Sequence, residues 1–381
     1  MEFRTTRSWD FLNFTQIVNR NPQWKVTSSL ECLILEFGWN PNLSMIRDCD
    51  LRQGNGRVLA KIIGARYYNG GGLYQSDEAS PLDFIGHGSH TSSIAAGRSI
   101  SQASLYGLAK GTARGAVPSA KLAVYKVCAS FLCYEHDILA GFDDAISDGV
   151  DIISASISYP YHAHDYFDDA IAIGSFHAMA NGILTSTAAG NSGPGHYSVG
   201  NVAPWLISAT ASSIDRHIIG RVVTGDNVST TGRLFSATHD GSFIDIEGMI
   251  YVQDFELDVS FSFPKPAIIV SSVDGFNLLR YINNTENPVA NIHKSEEIFY
   301  SEAPQVASFS SKGPNGITPD ILKPDIRAPG IDILAAWSKV ASVSGYSKDT
   351  RVVEFNIISG SSMACPHVTG AAAYVKSFHP N

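Results

Sequence analysis

Buried runs of strand length separated by segments of helical period constrain this chain more than any other feature. Residues 122–127, 150–157, 182–187 and 205–211 read as strands inside a core. Between the first two, Ile138, Leu139, Phe142, Ala145 and Ile146 fall on one helical face, and 174–181 reads as a second helix. Strands alternating with helices imply an α/β fold, a mostly parallel sheet with helices on both faces. Ligands of such sheets bind beyond the carboxyl ends of the strands. With 381 residues, 44% of them hydrophobic, the chain is long enough for a large core in one or two domains.

The chemistry-bearing residues sit at the edges of these elements. Ser362, within Gly360, Ser361, Ser362, Met363, Ala364, Cys365, Pro366 and His367, stands where a glycine turn opens a helix. The stripe Val368, Ala371, Ala372 and Val375 marks that helix, and Gly370 leaves room for a neighbouring backbone. A serine here is either an N-cap or a nucleophile facing the positive end of the helix dipole. A hydroxyl becomes a nucleophile only beside a base. His87, flanked by Gly86 and Gly88 and leading the small-residue run 92–97, offers one, while His90 reads as structural. Asn191 ends the strand 182–187 through Ala188, Ala189 and Gly190. Its amide either caps a turn or donates to an oxyanion without adding a titrating charge.

These three strings, in the order His, Asn, Ser, resemble the subtilisin family of serine proteases, and the plant cucumisin-like subtilases in particular. The segments 61–68, 106–128, 149–156 and 309–315 share the likeness, which extends from Thr5 to Asn381. The resemblance implies a subtilisin-like fold and endopeptidase activity. It makes Ser362 the nucleophile, His87 the general base and Asn191 the oxyanion donor of a triad enzyme. It also implies that Ser156, Ile157 and Ser158 form the edge that pairs with an extended peptide, and that Ala188, Ala189 and Gly190 wall the specificity pocket. Relatives carry glycine at the third edge position, so Ser158 and the bulkier Tyr159 narrow the access. Cys128 and Cys133 match a family disulfide, and Cys365 reads as a small packed residue. No cofactor or metal is implied, and the partners are protein or peptide substrates.

The triad's aspartate is missing. The family carries it in Asp-Thr-Gly-Ile-Trp at the end of a first strand, yet no aspartate occurs between Asp10 and Asp48. Reading the degenerate codons one base earlier, so that the third base of each joins the first two of the next, explains the gap. Residues 23–42 then permit Val-Glu-Ser-Asp-Ile-Val-Val-Gly-Val-Phe-Asp-Thr-Gly-Ile-Trp-Leu-Glu-Ser-Glu. Residues 52–58 permit Pro-Arg-Lys-Trp-Lys-Gly in the same frame, another string typical of the plant proteases. We therefore read 24–59 as frame-slipped, which deprives Cys32, Cys49 and the acceptor string at Asn42 of meaning and replaces the central strand along with its aspartate. Glu31 and Glu36 are poor substitutes because a longer carboxylate needs coincidental geometry, and Asp83 serves a turn near His87.

The domain boundaries follow. Residues 5–214 form the first part of the catalytic domain, 215–302 a degraded, β-rich remnant of the protease-associated insertion, and 303–381 the rest of the catalytic domain with the nucleophile. A net charge of −9 excludes nucleic acid and anionic membranes as partners. No apolar run reaches transmembrane length, and residues 1–11 lack a signal-peptide core. Plant relatives are secreted to the apoplast with a signal peptide and prodomain, whereas this chain begins near the mature start and ends before the last helices of the catalytic domain. Asn13, Asn227 and Asn283 begin glycosylation acceptor strings. Two other readings stand beside the protease: a catalytically dead, peptide-binding relative, and an ester-cleaving α/β hydrolase. The second is disfavoured because no Gly-x-Ser-x-Gly elbow surrounds Ser362.

Overall fold

The structure, a computed structural model, describes residues 7–14, the backbone of 31–36, and residues 61–72, 79–129, 132–160, 163–233, 248–253, 258–260, 262–346 and 348–379. Cys49, the acceptor string at Asn42 and most of 24–59 lie outside them, and of Cys32 only the backbone is described.

Among the described residues, the main sheet has seven strands in the spatial order Ile326–Pro329, Ile207–Ser212, Leu184–Ala188, Ile152–Ala155, Glu31–Glu36, Lys121–Lys126 and Ile62–Tyr67. Every pairing is parallel. Side chains alternate across each strand, so an uninterrupted apolar run feeds two cores at once. Leu122, Val124 and Ile152 pack with Ile94 and Met363 on one face. Ala123, Tyr125 and Ile153 pack with Ile138, Phe142 and Ile171 on the other. The first set belongs to the helices His87–Ala96 and Ser361–Phe378, the second to the helices Glu135–Asp148 and Ala170–Ala180. The last of these starts four residues before the expected 174, because Asp169 caps it by accepting from Ile171 N at 2.8 Å and Ala172 N at 3.1 Å.

Two expectations are corrected. The central strand is present: Glu31–Glu36 pairs with Lys121–Lys126 on one side and with Ile152–Ala155 on the other. A parallel ladder is built from backbone groups, and the apolar run Cys32, Leu33, Ile34, Leu35 supplies a sequence that a doubly covered strand accepts. In the alternative frame the aspartate codon straddles Leu33 and Ile34, inside this strand. The Ser361–Phe378 helix has no single apolar stripe either. Its first ten residues are buried except for the half-buried Ser362, whereas Val375 is 58% exposed. The helix packs against both the sheet and the His87–Ala96 helix, so its first half is covered all round. What approaches Gly370 is the Ala116 methyl and the Trp9 ring, 2.6 and 3.0 Å from where a Cβ would stand, rather than a neighbour's backbone.

Between Ile207–Ser212 and Ile326–Pro329 the chain departs from the sheet. Arg216–Thr224 pairs antiparallel with Ser229–Gly232 and Ala290–Phe299, and Met249–Gln253 pairs with Ala267–Ser271 beside the helix Ser272–Asn284. Val222, Ile268, Val270 and Leu278 give this part its own small core, so the described residues of 215–302 have regular structure where a degraded remnant was expected. Cys128 and Cys133 form a disulfide. Asn13, Asn227 and Asn283 are exposed, though Thr15 of the first acceptor string lies outside the described residues. No described helix is long and apolar enough to cross a membrane.

Candidate active site

His87 is the first residue of its helix, at the end of a turn that leaves little freedom. Gly86 has φ 93, and a Cβ there would stand 2.4 Å from the Trp337 indole. Asp83, fully buried, accepts from Ile85 N at 3.1 Å, Gly86 N at 2.7 Å, Ser89 N at 2.8 Å and Ser89 Oγ at 2.7 Å. Burial pushes its carboxyl up, and these hydrogen bonds oppose the rise. Asp83 thus holds the turn and the first turn of the helix together, as expected. His90 lies inside, its Nε2 3.0 Å from Ile333 O and 3.2 Å from Asn356 O. Burial lowers its pKa to about 3, so at neutral pH it is an uncharged donor with a structural task.

Ser362 is the second residue of its helix, and its Oγ donates to Ser156 O at 3.2 Å while Ser156 Oγ donates back to Ser362 O at 3.0 Å. The pair fixes the helix start against the carboxyl end of the Ile152–Ala155 strand. A hydroxyl has one proton, so it donates either to this carbonyl or to a base, not to both. Asn191 is oriented by the residue before Ser362. Its Oδ1 accepts from Ser361 N at 2.8 Å and from Ser361 Oγ at 2.8 Å, and Ser361 Oγ accepts in turn from Gly190 N at 3.1 Å. With the carbonyl end so engaged, the Nδ2 end is turned toward Gly360, 3.5 Å from where a Cβ on that glycine would stand.

His87, Asn191 and Ser362 line one cleft of about 590 Å³. Ser156, Ile157, Ser158, Ala188 and Gly190 line it too, joined by Pro160 and Cys133. Ala189 instead packs behind the wall with Val199 and Val202. Ser158 Oγ lies 3.1 and 2.5 Å from where Cβ atoms on Gly190 and Gly200 would stand, so its side chain fits because two glycines face it. Tyr159 lines the cleft too, its ring stacked on His164 with centroids 4.2 Å apart.

Residues that the sequence reading passed over complete the frame. Asn201 Nδ2 donates to Ile157 O and Ala188 O, both at 2.7 Å, tying together the two segments that flank the cleft. Ser361 was visible beside Ser362, but its grip on Asn191 depends on a contact between positions 170 residues apart. Cys365 is packed as expected, its Sγ donating to Ser186 O at 3.3 Å. His367 is buried, 2.7 Å from Met363 O through Nδ1, and burial lowers its pKa to about 4.

The Subtilase family model matches residues 46–381. Among curated proteins, the chain is 38% identical over 419 residues to "Subtilisin-like protease SBT4.8" and 40% identical over 444 residues to "Subtilisin-like protease SBT4.3", both from Arabidopsis thaliana. The alignments cover 100% of this chain and 58% and 60% of those relatives, so the chain spans about three fifths of their length. Among solved structures, "Sphericase" superposes with a TM-score of 0.51 at 19% identity, over 93% of this chain and 79% of that one. The "S41 Psychrophilic Protease" gives a TM-score of 0.53 at 18% identity, over 100% and 86%. Both likenesses concern the fold.

Proposed function

The chain belongs to the subtilase family, a plant branch of it, and on that premise we propose that it is a serine endopeptidase hydrolysing peptide bonds through an acyl-enzyme on Ser362. The observation that carries this reading is the convergence of His87, Asn191 and Ser362 on one cleft, with the Asn191 amide held by Ser361. In the proposed reaction, His87 takes the Ser362 proton as Oγ attacks the scissile carbonyl. The Asn191 Nδ2 hydrogens and the amino end of the Ser361–Phe378 helix stabilise the oxyanion. His87 then protonates the departing amine, and water releases the acyl group by the reverse sequence. The residues 156–158 pair with the extended substrate, and Ala188 and Gly190 border its specificity pocket.

The printed sequence carries out this chemistry poorly. A buried carboxylate normally fixes the tautomer of the imidazole and stabilises its cation, and its removal alone costs about 3 × 10⁴ in kcat in subtilisin, a standard worked case. Here Leu33 and Ile34 occupy the strand where the alternative frame encodes aspartate. A second reading of the chain as printed, a peptide-binding relative without turnover, rests on that absence, while the family match favours the protease. The protease itself is the product of the alternative frame over 24–59, and as in its relatives we infer export from the cell. The test is hydrolysis of a peptide substrate by the reframed protein, carrying the segments that complete its relatives. We expect turnover that Ser362→Ala abolishes, and turnover unchanged by Ser362→Ala would refute the assignment.

A further inference from the structure

The proposed reaction fixes where one substrate side chain must go. Ser362 Oγ attacks a carbonyl whose oxygen turns to Asn191 Nδ2, and the side chain of that residue branches from the carbon beside the attacked one. It therefore lies between the two segments that lead to these groups. One is 156–158, tied to the nucleophile by the bond from Ser362 Oγ to Ser156 O, and the other is 188–190, which ends at Asn191. The gap between them is partly filled. Ser158 Oγ stands 3.1 Å from where a Cβ on Gly190 would lie and 2.5 Å from where one on Gly200 would lie, so the hydroxyl occupies the space that these two glycines leave. Its proton goes to Tyr159 O at 3.2 Å, which gives it a partner in that position.

The two segments are also held at a fixed spacing. Asn201, 1% exposed, donates from Nδ2 to Ile157 O and to Ala188 O, both at 2.7 Å, one acceptor on each side of the gap. Gly200 N donates to Ala189 O at 2.9 Å, and Ala189 packs against Val199 and Val202 behind the wall. A larger side chain would therefore have to displace a close-packed, hydrogen-bonded frame as well as the Ser158 hydroxyl. We propose that Ser158 closes this pocket to large side chains, so that the chain acts on peptides carrying glycine or alanine immediately before the scissile bond. The proposal rests on the protease reading and adds the substrate class to it. A single methylene in such a pocket discriminates by about 10–200-fold, and a benzyl group exceeds a methyl by much more than that.

The test is titration calorimetry of the full chain with two peptides that mimic the acyl product, acetyl-Ala-Ala-Ala-Ala and acetyl-Ala-Ala-Ala-Phe, each with a free carboxylate. The alanine-ended peptide should bind with a Kd lower by about tenfold or more. Ser158→Gly should erase or invert that preference, and Ser158→Ala, which keeps Cβ and loses the hydroxyl, should fall between. Equal affinities, tighter binding of the phenylalanine-ended peptide, or no binding of either peptide by the unaltered chain would overturn the proposal. So would a full preference in a Ser158→Gly protein that melts like the parent or, where that variant melts early, in Ser158→Ala. The protease reading is scored apart, by Ser362-dependent turnover of the reframed protein. Size selection without turnover keeps the narrow pocket and removes the protease, and turnover without size selection does the reverse.

Discussion

Asn191 has a donor to offer the cleft because Ser361 occupies its acceptor. In the reframed protein, Asn191→Ala should lower kcat by about 10²–10³, the usual cost of losing one oxyanion donor. Ser361→Ala keeps the backbone bond to Oδ1 and loses the hydroxyl one, so steady-state kinetics should show a smaller fall, about tenfold, with KM little changed. Gly86 is constrained differently, by a left-handed φ and the Trp337 ring. Gly86→Ala should cost about 2 kcal/mol or more, read as a Tm lowered by several degrees. That His87, Asn191 and Ser362 share one cleft was legible in the sequence, because a weak nucleophile and an oxyanion call for particular residue types beside slim glycines. Asn201 and Gly200 were not. Asn201 ties Ile157 O to Ala188 O, and Gly200 makes room for the Ser158 hydroxyl. Such tasks arise only when distant segments meet.

At the scale of elements, apolar runs identified the strands because a doubly covered strand needs nothing more specific, and the same tolerance let Glu31–Glu36 fill the central position. The Ser361–Phe378 helix was harder to read, since burial all round erases the periodicity that reveals a face. Two helices each carry a buried histidine whose folded pKa is depressed, to about 3 for His90 and about 4 for His367. The unfolded chain, with histidine near 6.5, takes up these protons first. Their contribution to stability is therefore complete above about pH 6.5 and is lost as pH falls toward 4, at about 1.4 kcal/mol per pH unit for each group. Tm measured from pH 7 to pH 4 should fall, and His90→Gln or His367→Gln should each flatten that slope while lowering Tm at pH 7. A slope unaltered in both variants would remove these histidines from the explanation.

For the whole molecule, the sheet and its two helix layers belong to a subtilase, and on the proposed reading one short segment separates the printed chain from a complete triad. The proposed frame slip rests on two family strings that fall in one shifted frame. Transcript and genomic reads across the codons for 23–61 should contain an open frame encoding Asp-Thr-Gly-Ile-Trp, and codons incapable of it would make 24–59 evolved sequence. With Glu31–Glu36 paired on both sides, the deficit that this reading proposes is a carboxylate rather than the sheet. Covalent labelling of Ser362 by a fluorophosphonate probe measures that deficit most directly, in the printed chain and in the reframed one side by side. We expect labelling of the reframed protein alone, abolished there by Ser362→Ala. Labelling of the printed chain that Ser362→Ala abolishes would contradict it, because the site would then be competent without the aspartate.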